Sequence, residues 1–250
     1  MIPSLLYRQI EPLDRQRHRS LQARPMADWS PAREMNALFL TVAEFADACK
    51  EYPIVFVRAG QDARGREQIA PVALTGLTQG ENLYLRADGG WDARYVPAFL
   101  RRYPFALAQV KDDDGFVLVI DAQWAGWSAP TPDAEPLFDA AAEPTPYLAR
   151  VRSFLEEFRR ETERTGLFGE RLLELGLLQE MRFDATLPSG DKLVVDGFLA
   201  LDTKKFIELP DAQVLALHRS GILGLLHLQQ ASLGNMQRLV ERRVAAARDR

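Results

Sequence analysis

The amino-acid sequence predicts an α+β fold: a largely antiparallel sheet with flanking helices and a long C-terminal helix. Two pairs of apolar runs each surround a turn-forming segment, Lys111–Gly115 and Pro188–Asp191, which is typical of β-hairpins. Helical stretches lie among and after these hairpins, without the regular strand–helix alternation of a parallel sheet. We expect the 250 residues to form a single domain.

Short apolar runs, many of them rich in β-branched or aromatic residues, mark the strands. Residues 53–57 form a continuous apolar run, which indicates a strand that is covered on both faces. The other predicted strands cover residues 69–77, 82–85, 105–110, 116–120, 181–186 and 192–201.

Helix-capping and helix-breaking residues predict where the helices begin and end. Thr41 and Glu44 form a capping box that begins a helix through Cys49, whose thiol is predicted to be buried and structural. A helix begins at Pro146 and ends at Gly166, a second covers residues 170–178, and a terminal helical section runs from 210 towards 244 with a break near 220–221.

Two stretches are predicted to lack regular structure. Residues 1–35 mix charge and proline and are expected to form an irregular arm on the domain surface. Residues 122–146 contain five prolines and two tryptophans, which predicts an extended connector that is long enough to take part in binding.

Composition excludes several classes of function. The net charge of −4, from 31 basic and 35 acidic residues, gives no global attraction to nucleic acid. No apolar run is long enough to span a membrane, and no signal peptide is evident. A single cysteine suits a reducing compartment, so a cytoplasmic location is expected. The sequence shows no metal-binding or cofactor-binding motif, and none is predicted.

The segment from Trp91 to Phe105 concentrates arginine and aromatic residues around a short helix between Pro97 and Pro104. One interpretation is structural: the rings anchor the helix and the arginines pair with acids. The other is a recognition surface, because Tyr, Trp and Arg contribute most of the energy at protein interfaces. The candidate binding residues are Trp91, Arg94, Tyr95, Arg101, Arg102 and Tyr103.

These residues favour a non-catalytic binding or accessory protein that recognises a protein or peptide partner. The alternative is an enzyme that acts on a modified peptide or sugar through carboxylates such as Asp121 and Asp202, each of which follows an apolar strand. Such acids also commonly cap the turn that follows. Convergence of the two acids in one deep pocket would favour the enzyme.

An apolar stripe in the C-terminal section has two interpretations. It could lie in the core of the monomer, or it could form a homodimer interface, since two-fold dimers are the commonest closed assembly. The residues predicted for that interface are Ile222, Leu226, Leu233, Met236 and Val240.

The sequence as a whole resembles the SapC family of bacterial proteins. The resemblance rests mainly on residues 52–56 (Tyr-Pro-Ile-Val-Phe) and on residues 95–105, which end in Arg-Arg-Tyr-Pro-Phe. It implies no established activity, cofactor or catalytic residue. One departure is Ala142, which stands where the family pattern has glycine, so the turn at this position is expected to differ.

Overall fold

The computed structural model describes residues 6–110, 115–128, 132–186, 190 and 192–248. Its antiparallel sheets and several helices, including a long C-terminal one, confirm the α+β class. The chain divides into two compact units, each assembled from three separate stretches. The first unit comprises Met1–Ala32, Leu85–Trp91 and Phe99–Arg160. The second unit comprises Arg33–Tyr84, Asp92–Ala98 and Glu161–Arg250.

The strands agree with most of the apolar runs. They are β1 Ile10–Pro12, β2 Gln22–Ala23, β3 Ala37–Phe39, β4 Ile54–Gln61, β5 Glu67–Leu74, β6 Phe105–Gln109, β7 Phe116–Asp121, β8 Trp127–Ser128, β9 Glu135–Pro136, β10 Leu178–Thr186 and β11 Lys192–Leu201. The helices are α1 Phe45–Ala48, α2 Ala98–Arg101, α3 Pro146–Glu174, α4 Thr203–Ile207, α5 Asp211–Arg219, α6 Ile222–Ser232 and α7 Asn235–Arg248.

The first unit contains two small antiparallel sheets. One has the order β1-β7-β6, with Ile10 opposite Asp121 and Phe105 opposite Ile120. The other places β2 between β8 and β9. The arm predicted to be irregular therefore supplies two strands to this unit, and the connector supplies two more. A core of apolar side chains joins these elements: Ala23, Phe105, Ile120, Leu137, Phe138, Leu148 and Leu155.

The second unit is built on a five-stranded antiparallel sheet of order β10-β11-β4-β5-β3. Residues 54–56 of β4 are all buried, as the continuous apolar run predicted. The ring of Phe168, on α3, lies 5.9 Å from the ring of Phe45 and 6.0 Å from that of Phe56. These aromatic contacts join α1 and α3 to the sheet.

Both predicted hairpins are present as antiparallel strand pairs, β6 with β7 and β10 with β11. The predicted turn residues 111–114, 188–189 and 191 lie outside the described residues. In the second hairpin the register shifts between Met181 and Phe183, opposite Gly197. Gly197 has a φ of +78°, which glycine adopts without steric cost, so it suits a β-bulge.

The expectation that Gly166 ends a helix was wrong, because α3 continues through it to Glu174. Gly169 lies where a Cβ atom would be 3.0 Å from the main-chain oxygen of Ile69, so its role is close packing. The helix ends at Gly176, which has a φ of +61°. The amide of Leu177 donates to the carbonyl of Leu172, a bond typical of a glycine-terminated helix.

Two local predictions also need correction. Residues 82–85 do not form a strand, because the side chain of Asn82 accepts a hydrogen bond from the amide of Tyr84 and closes a turn. Cys49 is half-buried rather than fully buried. Burial raises the pKa of its thiol, which disfavours the reactive thiolate.

The C-terminal helical section is present, with a break at Leu233 and Gly234 between α6 and α7. The predicted dimer stripe is largely used inside the second unit: Leu226, Met236 and Val240 are buried there. These three residues are thus not available as interface residues, while Ile222 and Leu233 are half-buried. The physical reason is that α6 and α7 cover the segment that leads into β4.

Polar side chains near the break fix α6 and α7 to that segment. Gln229 donates to the carbonyl of Ile54 at 3.0 Å, and Ser232 accepts from the Ile54 amide at 2.9 Å. Asn235 donates to the carbonyls of Cys49 and Tyr52 at 2.8 and 3.2 Å. Buried main-chain groups outside the strand ladder thereby obtain partners.

The two helical glycines of α3 should respond oppositely to alanine. Gly166→Ala should raise the free energy of unfolding by up to about 1 kcal/mol, because alanine is the better helix former and a Cβ atom there meets nothing within 4 Å. Gly169→Ala should lower the free energy of unfolding through its clash with Ile69. Equilibrium urea denaturation measures both changes, and stabilisation by both variants would contradict the close approach.

The turn at Ala142, where the family pattern has glycine, is strained. Ala142 has a φ of +62°, a conformation that costs a non-glycine residue about 1–2 kcal/mol. The turn is held by Asp139, whose side chain accepts hydrogen bonds from the amides of Ala141 and Glu143. The residue that differs from the family pattern, Ala142, is therefore also the residue with an unfavourable backbone conformation.

Ala142→Gly should raise the free energy of unfolding by about 0.5–1 kcal/mol, because removal of the strain exceeds the added flexibility of the unfolded chain. Ala141→Gly is the matched control, since Ala141 does not have a positive φ. The control should lower stability by about 0.5–1 kcal/mol. Thermal denaturation of the three proteins compares them directly, and a destabilised Ala142→Gly variant would contradict the strain.

Candidate functional site

The carboxylate of Asp121, the last residue of β7, is fully buried and accepts four hydrogen bonds in the first unit. The amides of Arg8 and Gln9 donate at 3.0 and 2.9 Å, and the amide of Gln123 donates at 3.1 Å. The hydroxyl of Tyr103 donates the fourth bond at 3.0 Å. Asp121 thus fixes β1, the loop after β7 and the turn after α2.

The same residue orders two tryptophans. The main-chain oxygen of Asp121 accepts a hydrogen bond from the indole of Trp127 at 2.8 Å. The ring of Trp124 lies 4.8 Å from that of Trp127 and 6.4 Å from that of Tyr103. Burial, together with the nearby Asp121 charge, raises the pKa of Tyr103, so its hydroxyl remains a proton donor.

A cleft of about 370 Å³ lies within the first unit, next to these aromatic residues. We call it the arginine cleft, because its described lining contains four arginines and a single carboxylate, that of Glu135. The arginines are Arg24, Arg101, Arg102 and Arg150. The aromatic lining residues are Tyr103, Phe105, Trp124, Tyr147 and Phe154.

Three of the arginines are exposed at the cleft. The guanidinium of Arg101 lies 5.3 Å from the ring centre of Phe154, a cation–π distance. Arg150 lies 3.8 Å from the carboxylate of Glu135, but both side chains are more than half exposed, so this pair is weak. The side chain of Arg24 has no polar partner among the described residues.

Arg102 is held differently. Its guanidinium lies 4.8 Å from the ring centre of Phe99, 5.1 Å from that of Phe158 and 5.9 Å from that of Tyr7. Its Nε atom is buried and finds no hydrogen-bond partner in the described part of the chain. Burial lowers the pKa of Arg102, because an apolar environment disfavours the cation. Aromatic faces, rather than carboxylates, surround this charge.

The structure does not bring the six predicted binding residues together in one site. Arg101, Arg102 and Tyr103 line the arginine cleft. Trp91 is buried in the same unit, with its ring 6.5 Å from that of Trp29. The remaining two residues, Arg94 and Tyr95, belong to the second unit.

In the second unit the hydroxyl of Tyr95 donates to the carboxylate of Glu44 at 2.8 Å. Glu44 also accepts hydrogen bonds from Thr41, its capping-box partner, and from the amide of Ala98 at the start of α2. Tyr95 therefore has a structural role, as one interpretation of the sequence held. Arg94 is exposed, and its amide donates to Glu51.

Sequence reasoning missed several lining residues. Tyr147, Arg150 and Phe154 recur at positions i, i+3 and i+7 of α3, so helical periodicity could have identified this face. Trp124 lies in the connector, where binding was considered. No sequence signal identifies Arg24, which reaches the cleft because β2 pairs with β8 and β9.

The two acids of the enzyme hypothesis have structural partners. Asp121 is fully occupied by the four donors described above. Asp202 begins α4 and accepts hydrogen bonds from the amides of Lys204 and Lys205 at 3.1 Å each. Asp121 and Asp202 lie in different units, and neither lines the arginine cleft.

The fold and the cleft define an α+β protein with a positively charged, aromatic-lined site. The sequence model of the SapC family matches residues 13–239, and the chain therefore belongs to the SapC family. No curated protein and no solved structure matches the chain. None of the helices among the described residues has the length and apolar character needed to cross a membrane.

Arg102 and Arg24 should differ sharply in their effect on stability. Arg102→Ala should lower the free energy of unfolding by about 2 kcal/mol or more, because three rings lose a packed, charged neighbour. Arg24→Ala should change stability by less than about 0.5 kcal/mol, as expected for an exposed side chain. Urea denaturation monitored by tryptophan fluorescence measures both, and equal effects would contradict this distinction.

Proposed function

We propose that this SapC-family chain is a non-catalytic, cytoplasmic binding protein that recognises a segment of a protein partner in the arginine cleft. The observation that carries the proposal is the lining of that cleft: four arginines and five aromatic residues in a volume of about 370 Å³. This volume falls in the range of about 300–1,000 Å³ that is typical of ligand sites.

The residue types support a protein ligand. Arginine and aromatic side chains present large contact areas and oriented hydrogen-bond donors, and they are enriched among the residues that dominate interface energy. The presence of a single cysteine, Cys49, suits a reducing compartment. The enzyme hypothesis receives no comparable support, since its two acids are bound to main-chain amides.

A homodimer stays a prediction. Because Leu226, Met236 and Val240 are buried within the second unit, a dimer would have to use other residues of that section, such as Ile222 and Leu233. The proposal for the arginine cleft does not depend on self-association.

Site-specific photo-crosslinking tests the proposal. We expect the full chain with p-benzoylphenylalanine in place of Pro25, an exposed residue of the cleft lining, to form a covalent adduct with one protein in native lysate. The same substitution at Arg64, an exposed position in the second unit, is the control and should not form it. Mass spectrometry identifies the adduct, and mixing the purified partner with the unmodified chain should reproduce the complex.

Two results would contradict the proposal. One is the absence of any protein adduct at position 25. The other is an equal pattern of adducts at positions 25 and 64, which would show non-specific collision. Because Pro25 is exposed, the substitution should not disturb folding, and a thermal scan verifies this before crosslinking.

A further inference from the structure

Arginine is in excess over carboxylates in the lining of the arginine cleft. Of the described residues that line it, four are arginines and one, Glu135, carries a carboxylate. The whole chain has the opposite sign, with a net charge of −4. The local excess is therefore a property of the cleft and does not follow from composition.

Arg102, the half-buried arginine of this cluster, has one hydrogen-bond donor without an acceptor among the described residues. The Nε atom of Arg102 is buried without a hydrogen-bond acceptor, and no described carboxylate forms an ion pair with its guanidinium. A buried donor without a partner destabilises the folded state. An anion that enters the cleft would act on the charge of this guanidinium, which has aromatic rings as its neighbours.

The exposed arginines come from separate elements. Arg24 follows β2, Arg101 ends α2, and Arg150 lies in the first turns of α3. Each guanidinium forms a planar fork that matches a carboxylate bidentately. No glycine occurs among the described residues that line the cleft, so this lining contains no glycine-rich loop of the kind that commonly surrounds a phosphate group. Dispersed forks suit several carboxylates along one chain better than a single phosphate.

The aromatic rings between the arginines indicate a second property of the ligand. Tyr147 and Phe154 on α3, together with Trp124, present aromatic surface to the same cleft. Contacts between aromatic rings stabilise a complex beyond the effect of the area they bury. A ligand with carboxylates alone would leave this surface unused.

From these observations we propose that the arginine cleft binds an acidic peptide segment in which an aromatic side chain is flanked by carboxylates. The carboxylates bind Arg24, Arg101 and Arg150, and the aromatic ring packs among the rings of the cleft. This inference rests on the proposed function and specifies the chemistry of the partner segment.

Fluorescence anisotropy with three labelled octapeptides tests the inference on the full chain. The first has one tryptophan flanked by glutamates. In the second a serine replaces the tryptophan, and in the third glutamines replace the glutamates. We expect only the first to bind at micromolar concentration, each altered peptide to bind at least tenfold more weakly, and the affinity of the first to fall as salt is raised.

Charge-reversal variants locate the site. Arg24→Glu and Arg150→Glu should each weaken binding of the first peptide at least tenfold, since each reverses one charge at the cleft. Arg64→Glu makes the same change in net charge on the second unit and should leave the affinity unchanged. Equal weakening by all three variants would show that only the net charge matters, and would overturn the inference.

Two further outcomes separate this inference from the proposed function. A protein adduct at position 25 without binding of the first peptide would overturn the peptide chemistry and leave the proposed function standing. Absence of both would overturn both. ATP and inorganic phosphate are the competing ligands: displacement of the first peptide by either at equal concentration would overturn the preference for carboxylates.

Discussion

The first unit depends on one buried carboxylate. Strand β1 has only three residues, too few for its ladder alone to hold the arm in place. Asp121 adds the amides of Arg8 and Gln9 to that pairing, and hydrogen bonds to a charged group contribute about 1.5–3 kcal/mol each. Through the hydroxyl of Tyr103 the same carboxylate also positions the wall of the arginine cleft. The site and the fold of this unit thus share one anchor.

The second unit uses the same device with another residue. Glu44 is buried and accepts hydrogen bonds from Thr41, from the hydroxyl of Tyr95 and from the amide of Ala98. In both units a carboxylate satisfies main-chain donors that no strand ladder reaches. Because a buried charge is costly unless it is hydrogen-bonded, all of these donors are needed at once. Irregular segments in each unit are therefore fixed with little regular secondary structure.

Local sequence signals predicted the elements that local physics determines. The apolar run at 53–57 gave a buried strand, and the capping box at Thr41 formed. Predictions failed where a distant contact decided the outcome: Gly166 lies in a helix whose packing continues through Gly169 against Ile69. The residues of the arginine cleft show the same difference between local and distant determinants. Arg101 and Arg102 could be predicted because they are adjacent in sequence, whereas strand pairing and helix docking bring Arg24 and Arg150 to the cleft.

The arginine cleft is positively charged, whereas the chain as a whole is negatively charged. This difference bears on the selectivity for a partner. A net charge of −4 repels acidic partners at long range, but at physiological salt this field decays over about 8 Å. At contact distance, by contrast, the arginines of the cleft act over less than this length, so salt screens them less. On the proposed binding role, a partner would gain little from negative charge alone and most from a segment that enters the cleft. Selectivity would then arise from the requirement to insert, which combines charge with an aromatic side chain.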